Sequence, residues 1–558
     1  MKKVMRFLAA CSMAMFVMAC SEDPTDPTDP NTPDDPNNGD NTEEPTPEPD
    51  NSPVELLSVV FYAADNGAYL SDDVAVESVV EEKEGDMVVR VKDGGAGKEL
   101  KMTLTAGANN MVKVDGVEQT CSTNEDGTVE CKASFDATFP ADITVSNEAG
   151  ESKKYVVKVG KVLETVVEQA ASYTEPDCTI SDAIMAVNPK DNMPYVCYIR
   201  KSTASGAVNQ LSVVRWNGVA FESVGSLGFT SPDKAASAPY LAFDKDGVPY
   251  VSYIDASADT AVTVKRLGAG NWETVGTEGF SSKANTSYST ALVFNPATNM
   301  PVVFYTNNVS KTDANYREMM KSEWNGSSWV DGPANLTPRV EGTTGVYMGS
   351  QSVQVGDAVY VASTCLSLGY YVHKFQNSTW TTVVDGPNAG FYNGAKIHAG
   401  YINIFADAAG NTYVVGGTDE VAAGSWDIQI WKLDEANKTM VPYGNIAPVG
   451  FGSSRENMAA SVNPVSGEVF GMYRDQTSAL AMFSSINEDL QWNQFDALNT
   501  KEADTKMMCL DFAADGTGYA TFLVKQVTEK NEAGETVVTV PASIELFRIG
   551  LEADVLPE

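Results

Sequence analysis

One motif, repeated along the chain, limits what this sequence can fold into more than any other feature. Residues 241–253 read Leu-Ala-Phe-Asp-Lys-Asp-Gly-Val-Pro-Tyr-Val-Ser-Tyr: an apolar strand, an Asp-x-x-Gly turn and a second apolar strand. The same shape recurs over 183–198, 291–305, 352–361, 404–415, 460–473 and 511–522. The residues aligned with Asp244 are Asn188, Asn295, Gln354, Asp407, Asn463 and Ala513, at successive steps of 56, 51, 59, 53, 56 and 50 residues. Each step has room for two further strands, such as 262–267 and 272–275 around a Gly-Ala-Gly-Asn turn. Aromatic and β-branched runs punctuated by Gly and Asp are strand and turn signals, so the repeat unit is four-stranded.

Four-stranded units repeated at this period in an all-β chain predict propeller blades. The seventh unit ends at residues 543–549 with a third strand and no fourth. The missing piece lies before the first unit: Leu163-Glu164-Thr165-Val166-Val167 matches the fourth strand Trp272-Glu273-Thr274-Val275-Gly276. An N-terminal strand that completes the last blade closes the ring and leaves no terminal blade to fray. The expectation is a seven-bladed β-propeller over residues 162–558, with six or eight blades as the alternatives.

Residues 54–161 alternate apolar and polar, as in Met87-Val88-Val89-Arg90-Val91, and hold a hairpin signal at Asn147-Glu148-Ala149-Gly150-Glu151. About seven short strands in this length predict a small immunoglobulin-like β-sandwich serving as a spacer. Cys121 and Cys131 flank Asn124-Glu125-Asp126-Gly127 and would face each other across a hairpin, so a disulfide is expected there. Cys178, Cys197, Cys365 and Cys509 show no metal-ligand spacing and read as small core residues.

The N-terminus gives an address. Lys2, Lys3 and Arg6 precede an uncharged run, residues 7–19, that is too short to span a bilayer. Residues 1–19 read as a signal peptide ending Val17-Met18-Ala19-Cys20, which resembles a bacterial lipobox; the resemblance implies a lipid on Cys20. Residues 21–53 hold 9 prolines, 11 acidic residues and no basic ones, so the segment 20–53 is a disordered, extended tether. Its Ser21-Glu22-Asp23 start resembles the export signal of Bacteroidota-type surface lipoproteins. That resemblance implies outer-membrane anchoring facing the extracellular side, with the lipid as the only membrane contact.

Charge and composition exclude some chemistry. The chain carries 75 acidic against 38 basic side chains and a formal net charge of −37. Such a chain repels phosphate backbones, so nucleic acid is ruled out as a partner. Two histidines, His373 and His398, leave little for His-based metal chemistry, and no metal or cofactor is expected.

Recurrence separates packing from function. Trp272, Trp329, Trp380 and Trp492 all open fourth strands; Tyr198, Tyr253, Tyr305 and Tyr473 all end second strands; these read as packing between blades. Arg215, Arg266, Lys374, Lys432 and Arg548 share one third-strand position and read as solvated cations. The turns on one face of the disc are short and repetitive. The other face carries irregular loops, around 306–317, 367–371, 416–426 and 525–541, and there binding residues are expected to concentrate. The singular candidates on that face are Trp426, Arg455, Glu456, Arg474, Asp475, Arg200, Asp255, Tyr347, Tyr370, Tyr371 and His398. Aromatics beside planar polar groups suit a sugar, which has an apolar face and a hydroxyl rim.

The last 400 or so residues also resemble the sialidase-like and BNR-repeat propellers in architecture. The Asp-box of that family, Ser-x-Asp-x-Gly-x-x-Trp between third and fourth strands, is not clearly present. The nearest text to its Phe/Tyr-Arg-Ile-Pro motif, Tyr198-Ile199-Arg200-Lys201, lacks the proline. Three functions remain open: a surface lipoprotein binding glycans without catalysis, a protein-binding scaffold or adhesin, and a glycoside hydrolase or lyase. Glycan binding is the leading expectation, with a glycan or a surface protein as partner and a monomeric state.

Overall fold

In the computed structural model the described residues are 52–67, 70, 73–76, 87–91, 99–161, 165–286, 290–308, 318–333, 347–365, 369–377, 379–385, 402–418, 427–447, 458–487 and 489–551. The chain divides into two compact units, Met1–Val159 with Pro557–Glu558, and Gly160–Leu556. Both are built of β-strands, and the pairings given below are antiparallel.

The first unit has two five-stranded sheets. One orders its strands Val74–Val76, Leu56–Phe61, Glu99–Ala106, Val129–Asp136, Cys121–Thr123; the other Met87–Val91, Ser152–Lys161, Ala141–Ser146, Met111–Val114, Val117–Glu118. Period-2 alternation decides which side chains face inward. In Val129–Asp136, Cys131, Ala133 and Phe135 are buried while Lys132 and Ser134 face out. Inward residues of both sheets, among them Phe61, Leu100, Leu104, Ile143 and Val145, share one core. Cys121 stands opposite Cys131, and the two form a disulfide with their Cα atoms 4.2 Å apart.

Among its described residues the second unit contains five four-stranded sheets, one seven-stranded sheet and a separate two-stranded hairpin. In each four-stranded sheet the strands follow one another in chain order. The seven-stranded sheet is continuous because one strand, Asp496–Phe512, serves two neighbours. Its first part pairs with Leu480–Ser485, with Phe483 opposite Asp496, and its last part with Gly518–Val524, with Phe512 opposite Gly518. The sheet's far edge is Thr165–Tyr173, which pairs with the C-terminal strand Ser543–Leu551 from Thr165↔Leu551 to Tyr173↔Ile544.

The first strands of successive groups lie side by side: Cys178–Val187, Ala236–Phe243, Ala291–Phe294, Tyr347–Val355, Asn403–Ala406, Met458–Val462 and Asp496–Phe512. The last of them packs back against Cys178–Val187, so the order is cyclic. The second strands are the most buried. Pro249–Asp255 and Gly518–Val524 are buried at every residue, as expected of strands covered on both faces.

The repeated residues have repeated jobs. Asp244 accepts the N–H groups of Asp246 and Val248, each at 2.9 Å, closing its turn, while Gly247 takes φ +79°. Asn188 in the preceding repeat donates through Nδ2 to Gly247 O at 3.1 Å, and Asn463 does the same to Gly516 O at 3.1 Å, so neighbouring turns are tied together. Trp272 Nε1 donates to Val224 O at 2.9 Å and Trp329 Nε1 to Val275 O at 2.7 Å, each Trp reaching back one sheet. Their rings stack on Phe229 and Phe280.

Of the third-strand cations, Arg266 and Arg548 are exposed as the sequence suggested, while Lys374 is largely covered. Each of the five pairs across the sheet with a second-strand tyrosine: Tyr195↔Arg215, Tyr250↔Arg266, Tyr360↔Lys374, Tyr413↔Lys432 and Tyr519↔Arg548. Four of the five also meet a carboxylate: Arg215 with Glu222, Arg266 with Glu273, Lys374 with Glu435 and Arg548 with Glu168. The flanking tyrosine presents a ring that such a cation can lie over, as Lys374 does on Tyr360 at 5.2 Å.

Candidate functional site

Six of the singular candidates lie among described side chains, and the four charged ones spend their polar atoms on the fold. Arg200 closes the strand Pro194–Ser202. Its guanidinium meets Glu175 Oε1 at 2.6 Å and donates from Nη2 to Cys178 Sγ at 2.9 Å. The other Glu175 oxygen accepts the Tyr198 hydroxyl at 2.8 Å, and Tyr173 OH lies 3.0 Å from Tyr198 OH. Burial pushes the Tyr198 hydroxyl far above its ordinary range, so it stays a donor.

Asp255 is buried. Its Oδ1 accepts Ser257 N at 2.9 Å, capping a short 3₁₀ turn, and Oδ2 accepts the hydroxyls of Tyr253 and Thr263 at 3.3 and 3.2 Å. In the next sheet Asp331 accepts Tyr305 OH and Ser322 Oγ, both at 2.6 Å. Three consecutive sheets thus bury a second-strand tyrosine whose hydroxyl donates to a carboxylate: Tyr198 to Glu175, Tyr253 to Asp255, Tyr305 to Asp331. Seen this way, Arg200 and Asp255 belong to the packing pattern.

Arg474 ends the strand Val469–Arg474 and donates from Nε to Ala503 O at 2.8 Å. Asp475 accepts Thr477 N at 3.0 Å and Ser478 Oγ at 2.7 Å. Burial raises the Asp475 carboxyl, but the Ser478 and Thr477 bonds and the nearby Arg474 outweigh it, leaving the group below its usual range. These four candidates do not converge; only the chain neighbours Arg474 and Asp475 act on each other. Tyr370 and Tyr371 are buried in the strand Gly369–Gln376. Tyr347 begins the strand Tyr347–Val355 opposite Cys365, and its side chain is outside the described set. Trp426, Arg455, Glu456, His398 and Cys20 lie outside the described residues.

What converges instead is the inside of the ring. The seven first strands enclose a cavity of about 880 Å³. Ligand pockets run at roughly 300–1,000 Å³, mostly apolar with a few placed polar groups. The wall here mixes Ile184, Leu292, Val353, Ile404 and Phe405 with the neutral polar residues Ser237, Gln351, Ser352, Asn403 and Ser461. Tyr240 crosses it: its hydroxyl reaches the Tyr347–Val355 strand, two sheets on, meeting Gln351 Oε1 at 3.1 Å and Ser352 Oγ at 3.2 Å. Ala291, opposite Phe304 where Tyr240 is opposite Ser252, is small enough to leave that room.

Among the described lining residues, Asp511 and Asp182 are the charged ones that lie within first strands. Judged by partners on the second strand, Asp511 stands where other repeats have Ala186, Ala242, Val353 and Phe405, each opposite a tyrosine. Its oxygens accept Val187 N at 3.0 Å and Phe512 N at 2.9 Å, and burial raises its carboxyl to about 6. Next to it, Cys509 Sγ accepts Met185 N at 3.3 Å. A strand facing the ring's axis has an open edge, and these two side chains satisfy part of it. Sequence reading missed the cavity residues because they sit inside the repeated motif; the signal available was Asp511's departure from the small and apolar residues aligned with it.

No family model matches the chain, and no curated protein matches it. Solved structures that resemble it do so distantly. A protein of unknown function from Dyadobacter fermentans shares 12% identity at a TM-score of 0.39, covering 69% of this chain and 99% of that one. The NanB sialidase of Streptococcus pneumoniae shares 10% at 0.36, covering 86% and 87%. A mutant Aleuria aurantia lectin solved with Fucalpha1-6GlcNAc shares 11% at 0.34, covering 55% and 95%. Likenesses this distant carry neither a fold assignment nor a function to this chain.

Proposed function

We propose that the chain is an outer-surface lipoprotein, anchored through lipid on Cys20, whose second unit is a seven-bladed β-propeller that binds glycans without cleaving them; the first unit is an immunoglobulin-like sandwich. The cyclic order of seven first strands and the C-terminal pairing with Thr165–Tyr173 support the propeller reading. The observation that carries glycan binding is the cavity wall. Hydroxyls and amides of Ser237, Gln351, Ser352, Asn403 and Ser461 interleave with aliphatic and aromatic surface, which suits an uncharged ring with an apolar face and a hydroxyl rim. A glycan array probed with the purified chain tests this, with Trp426→Ala as the loop-face comparison. Saturable binding to neutral glycans is expected; silence across all neutral glycans overturns the reading.

A protein-binding scaffold is favoured by one observation. The hairpin Val527–Lys530/Thr536–Val540 is a sheet of its own, and Val537, Val538 and Val540 on it are exposed, Val538 by 52%. Exposed β-branched edges of this kind are docking elements for extended segments.

A further inference from the structure

The cavity is asymmetric from end to end, and the asymmetry is written in the backbone. Four of the seven described first strands carry β-bulges at a shared level. In Cys178–Val187 the register jumps between Ser181 and Ile184, opposite Tyr198. In Ala236–Phe243 it jumps between Ser237 and Tyr240, opposite Tyr253. In Tyr347–Val355 it jumps between Tyr347 and Ser350, opposite Thr364. In Asp496–Phe512 it jumps between Ala503 and Met508, opposite Leu523. All four lie toward the start of the strand segment that lines the ring, at the end where sheet-to-sheet links and irregular loops enter.

Three of these bulges, on strands adjacent in the ring, hold a non-glycine residue in the left-handed region: Asp182 at φ +42°, Ala238 at +50° and Met507 at +71°. Asp tolerates this conformation; Ala and Met adopt it only where the surroundings hold them. All three residues line the cavity. A bulge takes backbone groups out of the ladder and re-aims a side chain. The bulge itself recurs and is architecture, whereas the side chains it re-aims differ, and only Asp182 among these three is charged. Deeper in, Asn403 stands three residues before the end of its strand, the level of Tyr240. Its Oδ1 is buried on the cavity wall and has no hydrogen-bond partner among the described residues. A buried acceptor without a donor marks a place that a ligand or a water fills.

We propose that this bulged mouth is the glycan site itself: a terminal neutral sugar enters past Asp182, Ala238 and Met507, its hydroxyls donating to the Asp182 carboxylate at the rim and to Asn403 Oδ1 below. This rests on the glycan-binding reading and moves its centre from the irregular loops to the axis of the ring. The carboxylate accepts from sugar hydroxyls, the half-buried Ala238 supplies apolar contact to the ring face while Met507 is packed into the core behind it, and the wall of Ser237 and Ser461 completes the polar lining.

The test uses the purified full chain, with the best neutral glycan from the array as probe in isothermal titration. Asp182→Asn and Asn403→Ala are compared with the parent and with Trp426→Ala, each checked by thermal melting. The proposal expects at least a tenfold loss of affinity in Asp182→Asn or Asn403→Ala with the melting temperature kept. Asn403→Ala removes an acceptor that has no hydrogen-bond partner among the described residues, so it tests the site even where Asp182→Asn alters the bulge. Parent-like affinity in both variants overturns the axial site and leaves the loop face as the binder. A parent chain that binds no neutral glycan at all overturns the glycan-binding reading before the variants are made.

Discussion

The Asp511 carboxylate accepts the backbone N–H of Val187 at 3.0 Å, joining the last first strand of the cycle to the first. This bond lies at the seam that closes the ring, and it puts a carboxyl group raised to about 6 by burial on a contact that holds the ends together.

A pH dependence follows. The folded chain binds this proton more tightly than the unfolded chain, whose carboxyl sits near 3.8. The group's contribution is therefore fully present below about pH 4 and is lost as pH rises through about 6. Asp511→Asn keeps an acceptor for Val187 and carries no charge. Thermal melts at pH 4, 5, 6 and 7 should show the variant gaining on the parent as pH rises; equal slopes for both would remove Asp511 from the account.

The C-terminal closure has its own clasp. Glu545 is fully buried, and its carboxylate accepts from Ser172 Oγ, Ser543 Oγ and Lys501 Nζ at 2.7 Å and from Gln169 Nε2 at 2.5 Å. Removing the lysine leaves a buried charge short of its counter-ion, which typically costs about 3–5 kcal/mol. Lys501 is partly exposed, so Lys501→Met should fall at the low end of that range in urea unfolding. A loss under about 0.5 kcal/mol would mean the hydroxyls and amide suffice.

Gly276 meets two tryptophans. A Cβ there would lie 2.6 Å from Trp324 Cζ3 and 3.0 Å from Trp329 Cδ1, at φ +76°. Gly276→Ala should destabilise by roughly 1–3 kcal/mol and perturb Trp fluorescence, since strain and a displaced indole act together.

The Cys121–Cys131 bridge closes a short loop in the first unit. Breaking it should lower that unit's stability by roughly 2–3 kcal/mol through the unfolded chain's regained freedom. Calorimetry with and without reductant should show one transition moving. Movement of the second unit's transition by as much would contradict the two-unit division.

Much of the architecture was legible because it is periodic. The Asp244 turn, the buried run Pro249–Asp255 and the Trp272 position repeat, and repetition exposes packing. The incomplete last unit pointed to its partner strand, which the structure places at Thr165–Tyr173. The site was not legible for two physical reasons. Arg200 and Asp255 looked singular because their partners, Glu175 and the Tyr253 hydroxyl, are set by sheet geometry that spacing alone does not reveal. Asp511, Asp182 and Asn403 were hidden because which edge of a strand faces the axis is a property of the closed ring.

The most direct measurement combines binding and product analysis in one sample. A neutral oligosaccharide selected on the array is titrated into the purified chain, and the mixture is then analysed for cleavage after long incubation. Saturable heat with the oligosaccharide recovered intact is the predicted result. Cleaved sugar, or no heat with any neutral oligosaccharide, would contradict a propeller that binds glycans without acting on them.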